Sequence, residues 1–125
     1  MKKILIIEDD AAIRENTAEL LALNGFEIVT AENGRTGYAA ATREAPDLIL
    51  CDMMMPETDG RGFIALARKD SSISQVPVLF FSAGTVSPKV HQYLTSHSVG
   101  FLRKPFLAED LIDAVNKALE RSHAS

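Results

Sequence analysis

The sequence contains a single cysteine among its 125 residues, so it can form neither an internal disulfide nor a CxxC metal or redox site. We therefore expect a reducing, cytoplasmic location. Basic residues are fewer than acidic ones, and the net charge of −4 is unlike that of nucleic-acid-binding surfaces, which are normally basic. No apolar run approaches the roughly 20 residues that a membrane span requires. These absences indicate an acidic globular protein that binds neither nucleic acid nor membrane directly.

The N-terminal segment begins with basic residues but is unlike a secretion signal. Its apolar run, Ile4 to Ile7, stops at Glu8 after four residues, whereas a signal peptide needs about 7–15. We interpret it as a first strand, and Met1 suggests a natural N-terminus. A chain of 125 residues with 46% hydrophobic residues can bury a core of its own. We therefore expect one domain over residues 1–125, with no output domain in this chain.

Short apolar runs alternate with helical patterns along the chain. The runs predict strands at residues 3–7, 26–30, 48–51, 76–81 and 99–102. Helices are predicted to begin near residues 11, 33, 59, 89 and 107, and the fourth extends to about residue 97. Five strand–helix units predict an α/β fold, a doubly wound (βα)5 domain whose parallel sheet has the flavodoxin-like order 2-1-3-4-5 and helices on both faces.

Helix ends and apolar faces can also be predicted. Asp10 is expected to cap the first helix and Gly25 to end it. The inward faces are predicted to include Tyr38, Ala39 and Ala41 in the second helix, and Phe63, Ile64, Leu66 and Ala67 in the third.

Polar side chains follow four of the predicted strands at their carboxyl ends, where ligands bind in open α/β sheets. Glu8 and Asp9 follow strand one, Asp52 follows strand three, Ser82 follows strand four, and Lys104 follows strand five. Strands lie about 4.8 Å apart, so the carboxylates of strands one and three should be neighbours. Lys104 must reach back across two strand spacings. The predicted strand order therefore brings acids, a hydroxyl and a lysine together.

This set of side chains favours phosphoryl chemistry at Asp52. Clustered carboxylates repel one another unless a cation is present, and hard oxygen ligands suit Mg²⁺. Mg²⁺, a lysine and a hydroxyl facing a carboxylate can hold a phosphoryl group, and an aspartate can be the nucleophile that forms an aspartyl phosphate. Glu8 and Asp9 could instead simply cap the following helix, and Asp10 is left out of the metal set.

Four motifs span nearly the whole chain, and they are specific only in combination. They are Ile-Ile-Glu8-Asp9-Asp10, Leu-Cys-Asp52-Met-Met-Met-Pro56 with Asp59-Gly60, Phe81-Ser82-Ala83, and Lys104-Pro105-Phe106. Their order and spacing resemble the receiver domain of two-component response regulators, including the chemotaxis regulators.

The resemblance implies that Asp52 accepts a phosphoryl group from a phosphohistidine of a sensor histidine kinase or phosphotransfer protein. It further implies that Mg²⁺, with Mn²⁺ as an alternative, is bound by Asp52, directly by Asp9, mainly through water by Glu8, and by the backbone carbonyl of Met54. The remaining implied roles are phosphoryl contacts from Ser82 and Lys104 and a cis peptide bond between Lys104 and Pro105.

The resemblance also implies a switch and a mode of turnover. Phosphorylation would draw Ser82 inward, Phe101 would follow, and the face formed by helix four, strand five and helix five would change. Phe101 lacks the hydroxyl that the family often has there, and it could be a packing residue alone. The protein would assist its own phosphorylation and dephosphorylation without being an enzyme for a separate substrate. Since neither Met54 nor Gly84 can orient water, we expect slow self-dephosphorylation.

Three other functions are weaker. A haloacid dehalogenase-type phosphatase needs an acid two residues after its nucleophile, where this chain has Met54. A flavodoxin-like cofactor carrier is disfavoured because no G-x-G-x-x-G motif follows strand one in this chain. A phosphate-independent pseudo-receiver tends to lack part of the acidic set, which is complete here. The sequence leaves open the cognate kinase, the downstream target, whether the domain belongs to a longer regulator, and whether it is a monomer or a phosphorylation-dependent homodimer.

Overall fold

A computed structural model of the protein describes residues 1–53, 60–82, 88–89, 92, 100–104 and 106–124. Its centre is one parallel sheet in the order β2-β1-β3-β4-β5, which confirms the predicted topology. The strands are β1 (Lys3–Ile7), β2 (Glu27–Ala31), β3 (Leu48–Asp52), β4 (Val78–Ser82) and β5 (Gly100–Arg103). Because the order reverses between β1 and β3, the carboxyl ends of those two strands form the crevice in which such sheets bind ligands.

The described helices are α1 (Ala11–Leu23), α2 (Gly34–Glu44), α3 (Gly60–Lys69) and a C-terminal helix (Ala108–Ala124). Of the predicted fourth helix, Lys89 and Gln92 are described and are helical, as is Pro88 just before it, while the rest lies outside the described residues. Among the described helices, none combines the length and the apolar character needed to cross a membrane.

The core consists of two layers, one on each face of the sheet. One layer joins the odd-numbered residues of β1 and β3 to α2 and α3, and includes Phe63, Ile64 and Phe80. The other joins the even-numbered residues of those strands to α1 and the C-terminal helix, and includes Phe81 and Val115. Since both faces are covered, the central strands are almost continuously apolar, and this is why their sequences contain no hydrophobic–polar alternation.

Local signals at the helix ends agree with the structure. The Asp10 side chain accepts a hydrogen bond from the backbone N–H of Ile13, so Asp10 caps α1 as predicted. At the other end Asn24 is the C-cap, and Gly25 follows it with φ of +90°, a conformation that favours glycine. The backbone N–H of Phe26 donates to the Leu21 carbonyl, which completes a Schellman motif.

Several predicted details were wrong: two helix positions differ in burial, and some strand ends differ by one or two residues. Ala40, rather than Ala39, is buried in α2, and Leu66 of α3 is exposed. In α2 the buried face is formed by Gly34, Gly37, Ala40 and Ala41, and Gly37 lies directly against β1. In α3 the buried stripe is Phe63, Ile64 and Ala67, which leaves Leu66 exposed. A β-carbon at Gly37 would lie 2.5 Å from Cδ1 of Ile7. Strand β3 extends to Asp52, and β4 begins at Val78, after Pro77.

Candidate functional site

The acidic residues predicted to meet at the carboxyl ends of β1 and β3 do lie together. One carboxylate oxygen each from Glu8, Asp9 and Asp52 lies within 4.8 Å of the other two. We call these three residues the acidic cluster. Asp52 is the last residue of β3, and Glu8 directly follows β1, whose Ile7 is paired with Cys51. Sheet register therefore sets the separation of these side chains.

Backbone hydrogen bonds fix Glu8 in place. Its N–H donates to the Ala31 carbonyl at the end of β2, over 3.0 Å. Its carbonyl accepts a hydrogen bond from Nη1 of Arg14 on α1, over 2.8 Å. The segment after β1 is thus held on one side by β2 and on the other by α1, and the Glu8 carboxyl group is directed into the protein.

Burial differs sharply within the acidic cluster. Glu8 is fully buried and Asp52 is 3% exposed, whereas Asp9 faces solvent. Charges are stabilised poorly away from water unless they are paired. In the acidic cluster, two buried carboxyl groups therefore need a partner, whereas the third carboxyl group is open to the solution.

Lys104 supplies a positive charge from the far side of the site. Its Nζ lies 2.6 Å from Oε1 of Glu8 and 3.6 Å from Oδ2 of Asp52. Its backbone N–H donates to the Ser82 carbonyl, over 2.7 Å, which continues the β4–β5 pairing past the end of β5. The predicted reach back across the sheet is present, and the lysine side chain is only 12% exposed.

One ammonium group does not balance the buried acids. Burial, together with the neighbouring Asp52 carboxylate, raises the pKa of Glu8 to about 8, and this exceeds the lowering effect of Lys104. Oε2 of Glu8 is buried, and no hydrogen-bond donor among the described residues reaches it. A buried, unsatisfied carboxylate oxygen beside two further carboxylates is a set of donors that suits a divalent cation.

The acidic cluster therefore fits a metal ion, and its all-oxygen donor set favours a hard cation such as Mg²⁺. Three predicted features lie outside the described residues: the Met54 carbonyl, the Lys104–Pro105 peptide bond and Gly84.

Ser82 and Phe101 lie on one face of neighbouring strands. Ser82 is the last residue of β4, is fully buried, and is paired with Arg103, while Phe80 is paired with Phe101. Since side chains alternate along a strand, Ser82 and Phe101 point to the same face as diagonal neighbours. Phe101 is partly buried and packs against the core layer on that face. This arrangement fits both a packing role and a switch role, and the switch stays a prediction.

Two aromatic side chains at the site had no predicted role. Lys104 Nζ lies over the Phe81 ring, 4.8 Å from its centroid, and Phe106 makes a T-shaped contact with the same ring. Both residues belong to the four sequence motifs, Phe81 beside Ser82 and Phe106 after Pro105, but the motifs assigned a role to neither ring. Only the register, which pairs Phe81 with Asp52, reveals its position.

Comparison with known proteins decides the family. The sequence model of the response regulator receiver domain matches residues 4–116, nearly the entire chain. The chain belongs to the response regulator receiver domain family. This membership supports the signalling interpretation over the phosphatase and the cofactor carrier.

Similar receiver domains occur both as separate proteins and within longer regulators. The chain is 34% identical to the chemotaxis protein CheY of Bacillus subtilis, over 94% of this chain and 97% of that protein. It is 35% identical to the DNA-binding dual master transcriptional regulator RpaA of Synechocystis, over 98% of this chain but 51% of that protein. The chain spans about half the length of several transcriptional regulators that it matches.

Solved receiver structures have the same fold. Vibrio cholerae chemotaxis protein CheY4 has a TM-score of 0.88 at 31% identity, covering 94% of this chain and 98% of that one. A receiver domain protein from Clostridium thermocellum has a TM-score of 0.89 at 27% identity, covering 99% and 98%. The flavodoxin-like architecture is thus shared along the whole domain.

Proposed function

We propose that the protein is a phosphorylation-dependent signalling domain in which Asp52 accepts a phosphoryl group. The observation that carries this proposal is the position of Asp52: buried at the end of β3, beside Glu8 and Asp9, with Lys104 Nζ 3.6 Å from Oδ2. A nucleophilic carboxylate with a cation site on one side and an ammonium on the other suits attack on a phosphorus atom.

The transfer forms one bond and breaks one. A carboxylate oxygen of Asp52 attacks phosphorus, and the phosphorus–nitrogen bond of a phosphohistidine breaks, with its electron pair returning to the imidazole. A Mg²⁺ ion held by Glu8, Asp9, Asp52 and the Met54 carbonyl would neutralise charge on the phosphoryl oxygens. The donor is a histidine kinase or a phosphotransfer protein.

Lys104 and Ser82 are proposed to contact the transferred group. Nζ of Lys104 already lies near both Glu8 and Asp52, so a small movement exchanges Glu8 for a phosphoryl oxygen. Ser82 is the last residue of β4, the strand paired with β3, and its hydroxyl is the second group proposed to contact the phosphoryl oxygens. The phosphoryl group carries a charge of about −1.5 to −2 at neutral pH where the carboxylate carried −1, and this increase draws both groups towards Asp52.

The readout is proposed to pass from Ser82 to Phe101 and then to the surface of helix four, β5 and the C-terminal helix. We propose that the domain assists its own phosphorylation and dephosphorylation, and that Met54 and Gly84 make the latter slow. Its partners are a kinase and a downstream protein, in the cytoplasm, and it acts as a monomer or a phosphorylation-dependent homodimer. The pseudo-receiver alternative predicts the same surface without any phosphorylation.

Intact-mass measurement tests the proposal directly. Incubation with Mg²⁺ and acetyl phosphate should add a single phosphoryl group to the wild-type protein. The adduct should be absent in Asp52→Asn and present in Asp47→Asn, a matched change at the other end of β3. No adduct on the wild-type protein, or an adduct that persists in Asp52→Asn, would overturn it. The decay of the adduct after removal of the donor measures the lifetime, which should far exceed seconds.

A further inference from the structure

We propose that Phe81 is a positioning residue for Lys104, holding the ammonium group at Asp52 through a cation–π interaction with its ring. This inference rests on the proposed function, because positioning matters only if Lys104 contacts the phosphoryl group. It concerns a side chain of β4 that contributes no oxygen or nitrogen atom to the site.

Register places the Phe81 ring beside the phosphorylation site. Phe81 is paired with Asp52 across β3 and β4, and directly paired residues project to the same face of a sheet. Lys104 extends over that face from the segment after β5, and its Nζ lies 4.8 Å from the centroid of the Phe81 ring. This distance is within the range of cation–π attraction.

The ring is itself held firmly. Phe81 is 2% exposed, within the core layer formed with α1 and the C-terminal helix. Phe106 contacts it with ring centroids 6.2 Å apart and an interplanar angle of 86°, the T-shaped arrangement that aromatic pairs favour. The segment from Lys104 to Phe106 therefore contacts the same ring at both of its ends.

An aromatic ring does something here that an aliphatic side chain of similar size would not. The negative face of the ring attracts the ammonium group, and this attraction strengthens where water is excluded, as it is around a lysine that is 12% exposed. The Phe81 ring has no oxygen or nitrogen atom that could compete with a phosphoryl oxygen for the N–H donors of Lys104. When Lys104 exchanges Glu8 for a phosphoryl oxygen, the ring keeps contact with Nζ throughout.

The test weakens the negative potential on the face of the Phe81 ring while keeping the shape of the side chain. Phenylalanines with one, two and three fluorine atoms are incorporated at position 81, and the rate of Asp52 phosphorylation by acetyl phosphate is measured at saturating Mg²⁺. The rate constant should fall stepwise, to about one fifth of the wild-type value with three fluorine atoms. The same substitutions at Phe63, a buried phenylalanine of α3, should leave the rate unchanged. Thermal unfolding verifies that every variant is folded.

A second measurement examines the contact itself. In metal-free protein, NMR signals of the Lys104 ε-methylene protons should be shifted upfield by the ring, and Phe81→Leu should remove the shift. No upfield shift, or equal rates across the fluorinated series in a wild-type protein that is phosphorylated, would overturn this inference and leave the proposed function standing. A wild-type protein that gains no phosphoryl group would instead contradict the proposed function.

Discussion

The two ends of the sheet each hold a lysine between two glutamate or aspartate side chains, but in opposite electrostatic situations. At the amino end, Nζ of Lys3 lies 3.3 Å from Oε2 of Glu27 and 3.3 Å from Oε1 of Glu44. It also donates to the Glu44 carbonyl. We call these three residues the amino-end cluster.

In the amino-end cluster the neighbouring charges favour the charged forms of Lys3 and Glu44. Glu27 and Glu44 raise the pKa of Lys3, while Arg43 and Lys3 lower the pKa of Glu44. The Lys3 side chain is a quarter exposed and that of Glu27 about half exposed, so water solvates what the ion pairs leave unsatisfied. This cluster stabilises the fold and has no need of an added ion.

At the carboxyl end the same residue types are buried, and the outcome is reversed. The pKa of Glu8 is raised although Lys104 lies 2.6 Å away, because desolvation and Asp52 outweigh that ion pair. The comparison shows that the residue types do not decide whether such a cluster serves the fold or a ligand. Access to water decides which of the two it serves. Four predictions test this conclusion.

The largest expected difference concerns Mg²⁺. Asp9→Asn should weaken Mg²⁺ binding at least about tenfold, because it removes a ligand oxygen that faces the solution. Even substitutions of residues that only support metal ligands commonly reduce metal affinity about 10–100-fold. Asp47→Asn should leave the affinity unchanged, because Asp47 accepts a hydrogen bond from the Lys3 backbone at the other end. Calorimetric titration with MgCl₂ measures both, and equal affinities in the two variants would contradict a site at the acidic cluster.

The next difference is in the pH dependence of stability without metal. Between about pH 4.5 and about pH 8, the folded protein keeps a proton on Glu8 that the unfolded chain releases, so this residue makes stability fall as pH rises. Glu8→Gln should remove that decline and be more stable than wild type at pH 9 by about 1–2 kcal/mol.

Glu44→Gln is the matched control. The pKa of Glu44 is lowered, so its charged form contributes stability above its unfolded pKa. This variant should be less stable than wild type at both pH 6 and pH 9. Urea unfolding at the two pH values distinguishes the variants, and a Glu8→Gln effect that is the same at both would refute the assignment.

A smaller effect is expected from the lysines. Lys104→Met should tighten Mg²⁺ binding about fivefold at pH 9, because it removes a positive charge close to the site, whereas Lys3→Met should not change the affinity. Weaker binding by Lys104→Met would mean that the lysine organises the carboxylates rather than competing with the cation.

The smallest effect should come from the amino-end cluster itself. Glu27→Gln is expected to reduce stability slightly, and the loss should shrink as NaCl is raised, because exposed ion pairs are screened by salt. Urea midpoints at low and high salt measure this. A salt-independent loss would indicate that the cluster is less solvated than its exposure implies.

Much of the fold could be read from local patterns. The apolar runs of β1 and β3, the Asp10 cap and the turn at Gly25 are short-range signals, and the structure agrees with each. The errors arise where packing intervenes. Ala39 is exposed and Ala40 buried, because the close approach of Gly37 to Ile7 sets the rotation of α2 on the sheet, and periodicity alone does not report that contact.

The candidate site was predicted in its membership but not in its energetics. Strand order alone brought the acidic cluster and Lys104 to one edge, and the structure shows these side chains together. Their roles in phosphoryl transfer stay predictions. The sequence could not show that Glu8 is fully buried while Asp9 is exposed. Both are acidic residues directly after β1, and the difference lies in the directions in which their side chains point.

By itself, then, the sequence determined the strand–helix alternation, the strand order and the family, because these depend on apolar periodicity and on motifs whose spacing is written along the chain. Only the tertiary structure decided which carboxylate oxygen has no hydrogen-bond partner among the described residues, how far Lys104 reaches, and that the Phe81 ring lies beneath its ammonium group. The physical reason is that burial and cross-strand contacts arise between residues far apart in sequence. Glu8 and Lys104, 96 residues apart, meet only when the sheet has formed.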